Sequence, residues 1–351
     1  MHTLIQDVRY AFRCLRRAPG FTATVVLTLA LGIGVTAAVF TLVYDVMLRP
    51  LPYPHPGRIV VMEEQVAEFR DLYPQLPMSA NHFEFWQRNT STVAAMAAMR
   101  QRSMPLGAGE HPMQAEVLEA TPGIFSVLSA APQLGRAFLP AEAQPGSGRA
   151  AILMYDLWRT QFGADPRILG RTITLNGYPY TVIGVMPRSF HLPVVDMIVT
   201  PSSERAKPVQ VLVPLVFSKD ELQEPVGDFN YFVLGRLKPG VTAAAAGAEL
   251  NGLQHTLSAR LSADEKATLS AMIVPFQQAL VGENRKALLI LLASVAGLLL
   301  VACVNVANLL LVRASGRRQQ MAVAAALGAT RAGLLRISLR ETAVLAVLGS
   351  A

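Results

Sequence analysis

The chain is 351 residues long, 52% apolar and only 16% charged, a balance that excludes intrinsic disorder and does not describe a soluble protein. Its net charge of +7 has three readings, nucleic acid, acidic lipid and membrane topology, which position along the chain separates and composition does not. With Cys14 and Cys303 the only cysteines, a disulfide scaffold is excluded as well.

Residues 4–17 place Leu4, Ile5, Val8, Phe12 and Leu15 on one helical face and Asp7, Arg9, Arg13, Arg16 and Arg17 on the other. Pro19 and Gly20 close the segment. The pattern predicts a cytoplasmic, amphipathic juxtamembrane helix over residues 1–20, with membrane lipid as its partner. Residues 18–44 carry no charge, and the 24 positions from Phe21 onward rise roughly 36 Å as a helix, against a hydrocarbon core of about 30 Å. The apolar core of a cleaved signal peptide is shorter, about 7 to 15 residues, so residues 21–48 read as a retained transmembrane helix. Pro50, Pro52, Pro54 and Pro56 follow as a stiff spacer.

Residues 49–284 read as an α+β domain. Residues 58–62 predict its first strand, and residues 79–88 and 91–100 two helices, each with a serine, Ser79 or Ser91, as N-cap. Residues 150–154 predict a strand leading into a helix over 155–162. Asn176 and Gly177 join two alternating runs as a type I′ hairpin. Residues 192–208 show no period and read as a loop. Residues 231–237 form another strand, which Lys238, Pro239 and Gly240 turn into an Ala-rich helix over 242–261. Residues 270–274 make the last strand.

The second uncharged stretch, residues 287–312, is too long for an ordinary buried core helix and predicts a second span over 285–313. Within it Asn305 and Asn308 lie one turn apart and share a face, which predicts polar contacts with another helix. Cys303 reads as a small buried apolar residue. Residues 317–328 form a short helix that Gly328 ends, and Thr330 caps a further one. Residues 342–351 are apolar but rise only about 15 Å as a helix, so residues 334–351 read as the start of a third span and the chain as a fragment of a longer protein.

Position then resolves the charge. Residues 1–17 contribute +3, residues 313–351 contribute +5 and the rest −1, so the basic excess lies beside the two spans. Both flanks therefore belong in the cytoplasm and the near-neutral region between them outside it, in a multi-pass inner-membrane protein with its N-terminus inside. No basic docking face remains for nucleic acid.

Chemistry is sparse. The six histidines are scattered singly without metal-ligand spacing, and none of the five lysines follows a glycine, which excludes a Walker A loop. There is no G-x-S-x-G elbow and no H-E-x-x-H helix. Glu63, Glu64 and Glu68 read as a solvated face, and Trp86 and Trp158 as core. No catalytic residue, metal or cofactor is predicted, and the chain reads as a non-enzyme.

The run DVRYAFRCLRRAPGFTATVVLTLALGIGVTAAVF followed by LRPLPYPHPGRIV resembles the first span of MacB/FtsX-like ABC transporter permeases, of the acidobacterial-type duplicated kind. LGRAFLP, AILMYDLWRTQFGADPRILGRTITLNGYPYTVIGVMP and LGRLKPGVT resemble the family's periplasmic core domain, and NVANLLLVRASGRRQQMAVAAALGATR its second span and cytoplasmic coupling segment. The resemblance implies a permease of an export or efflux system that passes on the work of a separate ATP-binding subunit, with a periplasmic adaptor protein as a further partner. It also implies a dimer, or a pseudo-dimer of two internal copies. It places contact with the ATPase on residues 314–333, where Arg317, Arg318, Met321, Leu327, Gly328, Ala329 and Arg331 match the family pattern. Gln320 stands where the family carries Glu, and Ala324 where it carries Arg. Lipoprotein release and control of cell-wall hydrolysis are alternatives within this class. A membrane-anchored sensor or interaction protein is the alternative outside it.

Overall fold

A computed structural model describes residues 19–44, 47, 51–73, 75–107, 113–192, 207–224, 226, 228–259, 268–282 and 284–316. The expected amphipathic helix over 4–17, the coupling residues from Arg317 onward, the expected third span and most of the 192–208 loop lie outside these residues. The chain divides into two compact units, one containing the two long apolar helices and the other running from Pro50 to Leu280.

In chain order, α1 (Pro19–Val43) is followed by β1 (Ile59–Val66), α2 (Ala80–Asn89), β2 (Val93–Leu106), β3 (Met113–Ala120), α3 (Gly123–Leu128), β4 (Leu134–Gly135), β5 (Ala150–Leu153) and α4 (Tyr155–Gln161). Then come β6 (Thr172–Leu175), β7 (Tyr178–Val185), β8 (Val211–Pro214), α5 (Lys219–Gln223), β9 (Phe232–Leu237), α6 (Ala243–Ser258), β10 (Leu269–Pro275), α7 (Phe276–Val281) and α8 (Asn284–Gly316).

The described strands make one sheet in the order β10-β1-β9-β2-β3-β8-β5-β7-β4, with β6 paired to both β7 and β2. The second β6 pairing sets Leu106 opposite Leu175, so β2, β3, β8, β5, β7 and β6 form a closed ring of pairings. Side-chain alternation then sorts the core. On β3, Leu118 and Ala120 join one buried cluster while Ala115 and Val117 join another, and Ile152 and Leu153 on β5 divide the same way. Strands covered on both faces read as continuous apolar runs, as AAIL of β5 does. A third cluster packs α2 and α6 on the β1–β9 face around Met62, Phe83, Trp86 and Leu250.

Several local expectations match the elements found. Ser79 caps α2, accepting from the His82 N–H, and the expected Ala-rich helix is α6, where Thr242, not singled out in the sequence, is the cap and accepts from the Ala245 N–H. Asn176 and Gly177 take the positive φ values, 51° and 79°, that a type I′ hairpin needs at both central positions. Residues 91–100 are a correction: they form no helix, and residues 93–100 are the first part of strand β2. Ala and Met are good helix formers, but propensity is a weak determinant, and pairing with β9 on one side and β3 on the other overrides it. Ser91 caps nothing there; its N–H and hydroxyl donate to the Glu249 carboxylate on α6.

In the smaller unit, α1 and the 28 residues 285–312 of α8 are both long and apolar enough to cross a membrane. Val25 and Val306 form their buried centre, with Phe21 and Leu309 packed against it. A Cβ built on Gly32 would meet Leu299 at 3.3 Å and Ala302 at 3.5 Å. Rising positions on α1 thus meet falling positions on α8, and the two helices run antiparallel. Cys303 corrects a second expectation: it is exposed, because the contact is made by Ala302 and Val306 on a neighbouring face of α8.

Candidate functional site

The features that distinguish the larger unit lie where the chain enters and leaves it. β1 starts nine residues after Pro50 and pairs antiparallel with β10, whose last residue, Pro275, faces Val60. Both connections to the smaller unit therefore run off one strand pair. The lead-in, residues 51–58, contains a left-handed residue, His55 at φ 51°, and a short 3-10 turn at Pro56–Arg58.

Three side chains pin this lead-in to the rest of its unit. The buried Tyr53 donates its hydroxyl to the His191 carbonyl. Arg236, on β9, donates from Nη1 to the Pro54 carbonyl at 3.0 Å and from Nε to the Val127 carbonyl of α3 at 2.7 Å. Arg58 donates from Nε to the Leu237 carbonyl at 2.8 Å. Arg236 is only 7% exposed, and burial and then the nearby Arg58 lower its pKa. An arginine stays protonated even so, and the planar guanidinium bridges two carbonyls from segments far apart in sequence. Its Nη2 is buried with no hydrogen-bond partner among the described residues. Sequence reading missed Arg236; the available signal is a lone arginine within the otherwise apolar run FVLGRL.

A buried polar network ties β1 to the two helices on its other face. Glu64 Oε1 and His82 Nδ1 share a hydrogen bond of 2.6 Å, Gln254 Nε2 donates to the same oxygen at 3.3 Å, and Trp86 Nε1 donates to Gln254 Oε1 at 2.8 Å. All four residues are fully buried. The reading of Glu63, Glu64 and Glu68 as a solvated face therefore holds only for Glu68, which is exposed and accepts from the Thr268 N–H. Strand alternation puts Glu64 on the face of Val60 and Met62, inside the cluster. Glu63, on the opposite face, is half-buried, and burial pushes its carboxyl up to about 7. The signal in the sequence was polar residues within apolar stripes: Glu64 after Val60 and Met62, His82 one turn before Trp86, and Gln254 between Leu250 and Leu257.

The predicted site residues fall differently. Asn305 and Asn308 are both exposed and take no part in the buried centre between α1 and α8. Arg317, Arg318, Gln320, Met321, Leu327, Gly328, Ala329 and Arg331 lie outside the described residues. Trp86 and Trp158 are buried, as expected of core. Among the described residues no group of three or more histidine, cysteine or acidic side chains is placed to hold a metal ion.

Two apolar helices bracketing an α+β unit define a class, the membrane protein with a domain inserted between its spans. The family model for the MacB-like periplasmic core domain matches residues 22–253, more than half of the chain, and the chain belongs to that family as a MacB/FtsX-like ABC transporter permease. Among solved structures the chain is similar to a domain of a candidate permease protein from Porphyromonas gingivalis, with 17% identity over 64% of this chain and 92% of that one and a TM-score of 0.47. It is also similar to the periplasmic region of MacB from Actinobacillus actinomycetemcomitans, with 14% identity, 65% and 93% coverage and a TM-score of 0.44. The extracellular domain of the noncanonic ABC-type transporter YknZ from Gram-positive bacteria aligns at 15% identity, covering 61% of this chain and 99% of that one, with a TM-score of 0.39. No curated protein sequence matches the chain.

Proposed function

We propose that the chain is the force-transmitting subunit of an ABC-type export or efflux system, in which ATP hydrolysis by a separate subunit moves the periplasmic domain. One observation carries this reading. Both connections between the spans and the domain run off the paired strands β1 and β10, and the lead-in is pinned by Tyr53, Arg58 and Arg236. Displacement of the lead-in is then passed to β9 and α3 rather than absorbed in a slack linker.

On this reading the N-terminus is cytoplasmic, and the ATPase docks on residues 314–333 through Arg317, Arg318, Gln320, Met321, Leu327, Gly328, Ala329 and Arg331. Gln320 forgoes a charge-assisted hydrogen bond that a carboxylate would make there, about 1–2 kcal/mol stronger than a neutral one. Asn305 and Asn308, exposed on α8, are available to a further span, of a second copy or of an internal repeat. A periplasmic adaptor protein would engage the external domain.

Co-purification of the membrane-embedded protein with the ATPase encoded beside it tests the reading. Recovery of both chains together, abolished by Leu327→Glu with expression unchanged, supports it. Retained association and export in that variant would place the coupling elsewhere.

A further inference from the structure

One end of strands β3, β8, β5 and β7 opens into a cleft of about 430 Å³ that neither the pinned lead-in nor the buried network uses. Its volume lies in the range of small-ligand sites, roughly 300–1,000 Å³. Its lining is polar, with Pro214 and Val216 the exceptions. Long acyl chains and large apolar molecules would find little apolar surface there.

The charges decide what it can hold. Glu119 is paired with Arg100 and lies 3.6 Å from Arg102, and Glu142 takes two bonds from Arg136, at 2.7 and 3.0 Å. The bonds from Arg136 hold the Glu142 carboxyl below its ordinary value, so it stays ionised and occupied. Each acid lining the cleft therefore has an arginine of its own. Arg149 is the surplus: among the described residues no carboxylate lies within ion-pair distance of it.

Arg149 is nevertheless held in place. Its guanidinium lies 4.2 Å from the centroid of the Tyr178 ring, a cation–π contact, and Tyr180 lines the same cleft. Burial is the main influence on Tyr180 and raises its pKa, which keeps the hydroxyl protonated. An exposed arginine packed on a tyrosine ring, with no carboxylate within ion-pair distance among the described residues, presents a planar donor fork matched to a carboxylate. The adjacent rim is Gly146–Ser147–Gly148, where a Cβ on either glycine would meet nothing within 4 Å. With no side chains at these two positions, the rim leaves room for another main chain to approach it closely.

We infer that this cleft is a binding site for an acidic peptide segment, whose carboxylate is taken by Arg149 and whose main chain lies along the 146–148 rim. The inference does not depend on coupling to an ATPase, since binding is read on the permease alone.

The test uses the 351-residue chain in detergent micelles and a fluorescein-labelled hexapeptide of glutamate, aspartate, glycine and serine, followed by polarisation. Its partner probe carries glutamine and asparagine in place of the acids and an amidated C-terminus. The acidic probe should bind and the neutral one should be weaker by about tenfold or more. Arg149→Gln should lose the same factor. Gly148→Phe should block binding without strain, because Gly148 lies outside the left-handed region and its side chain would enter open space. Arg167→Gln, at another exposed arginine, should change nothing. An unchanged unfolding midpoint identifies the Arg149 and Gly148 effects as local. No binding of the acidic probe, equal binding of the neutral one, or binding indifferent to both Arg149→Gln and Gly148→Phe would overturn the assignment.

Discussion

Replacing Glu64 by alanine tests the buried network. The carboxylate is fully buried, and its Oε1 meets His82 Nδ1 at 2.6 Å and Gln254 Nε2 at 3.3 Å. Its removal leaves two polar groups in an apolar cluster without their acceptor, each costing about 1–3 kcal/mol, and opens a small cavity. The expected loss is about 3–5 kcal/mol, the range for breaking a buried pair from one side. Replacing Glu64 and His82 together by leucine removes both ends, so the double substitution should cost at least about 2 kcal/mol less than the sum of the single ones. The chain has only two tryptophans, so a Trp158→Phe background leaves Trp86, itself in the network, as the reporter of urea unfolding. Additive single and double effects, or a Glu64→Ala cost under about 1 kcal/mol, would refute a cooperative buried network.

Two carboxylates predict a pH profile of opposing slopes. Burial raises Glu63 from 4.5 to about 7, so the folded chain holds that proton more tightly; the contribution is present below pH 4.5 and lost as pH rises through 7. For Glu249 burial raises the pKa, but the bonds from Ser91 and Thr92 outweigh it and bring it to about 2; that contribution is present above pH 4.5 and lost as pH falls through 2. Glu63→Gln should flatten the profile on the neutral side and Glu249→Gln on the acid side, and a Glu63→Gln chain that keeps its full slope between pH 4.5 and 7 would contradict the assignment. At Gly123 a Cβ would lie 2.0 Å from the Met96 carbonyl oxygen, so Gly123→Ala should destabilise the chain by at least about 2 kcal/mol by forcing α3 away from β2. A loss under about 0.5 kcal/mol in the same unfolding assay would show that the helix shifts without resistance.

Legibility in the sequence followed how local each signal was. Span length, the Asn176–Gly177 turn and the cap at Ser79 are set within a few residues, and all can be read directly. β2 has no local signature because its identity rests on partners distant in sequence: Met99 pairs with Ala120, 21 positions on, and with Phe232, 133 positions on. The ring closed by Leu106 and Leu175 has no local signature at all. Glu64 was misjudged for a related reason. Glu63, Glu64 and Glu68 look like one solvated cluster until β1 is known to run through Val66, whereupon alternation turns Glu64 inward. Arg236 and the lead-in it holds are likewise a product of tertiary approach, since Pro54 and Arg236 lie 182 positions apart.

On the proposed reading, motion at the cytoplasmic face reaches the periplasmic domain through residues 51–58 and the β1–β10 pair. Hydrogen exchange on the complex with its ATPase, nucleotide-free and trapped with ATP, measures this most directly. Altered exchange at residues 51–58 and along β1 and β10 is expected on trapping, abolished by Leu327→Glu. Identical exchange in the two nucleotide states of a complex that hydrolyses ATP and exports would contradict it.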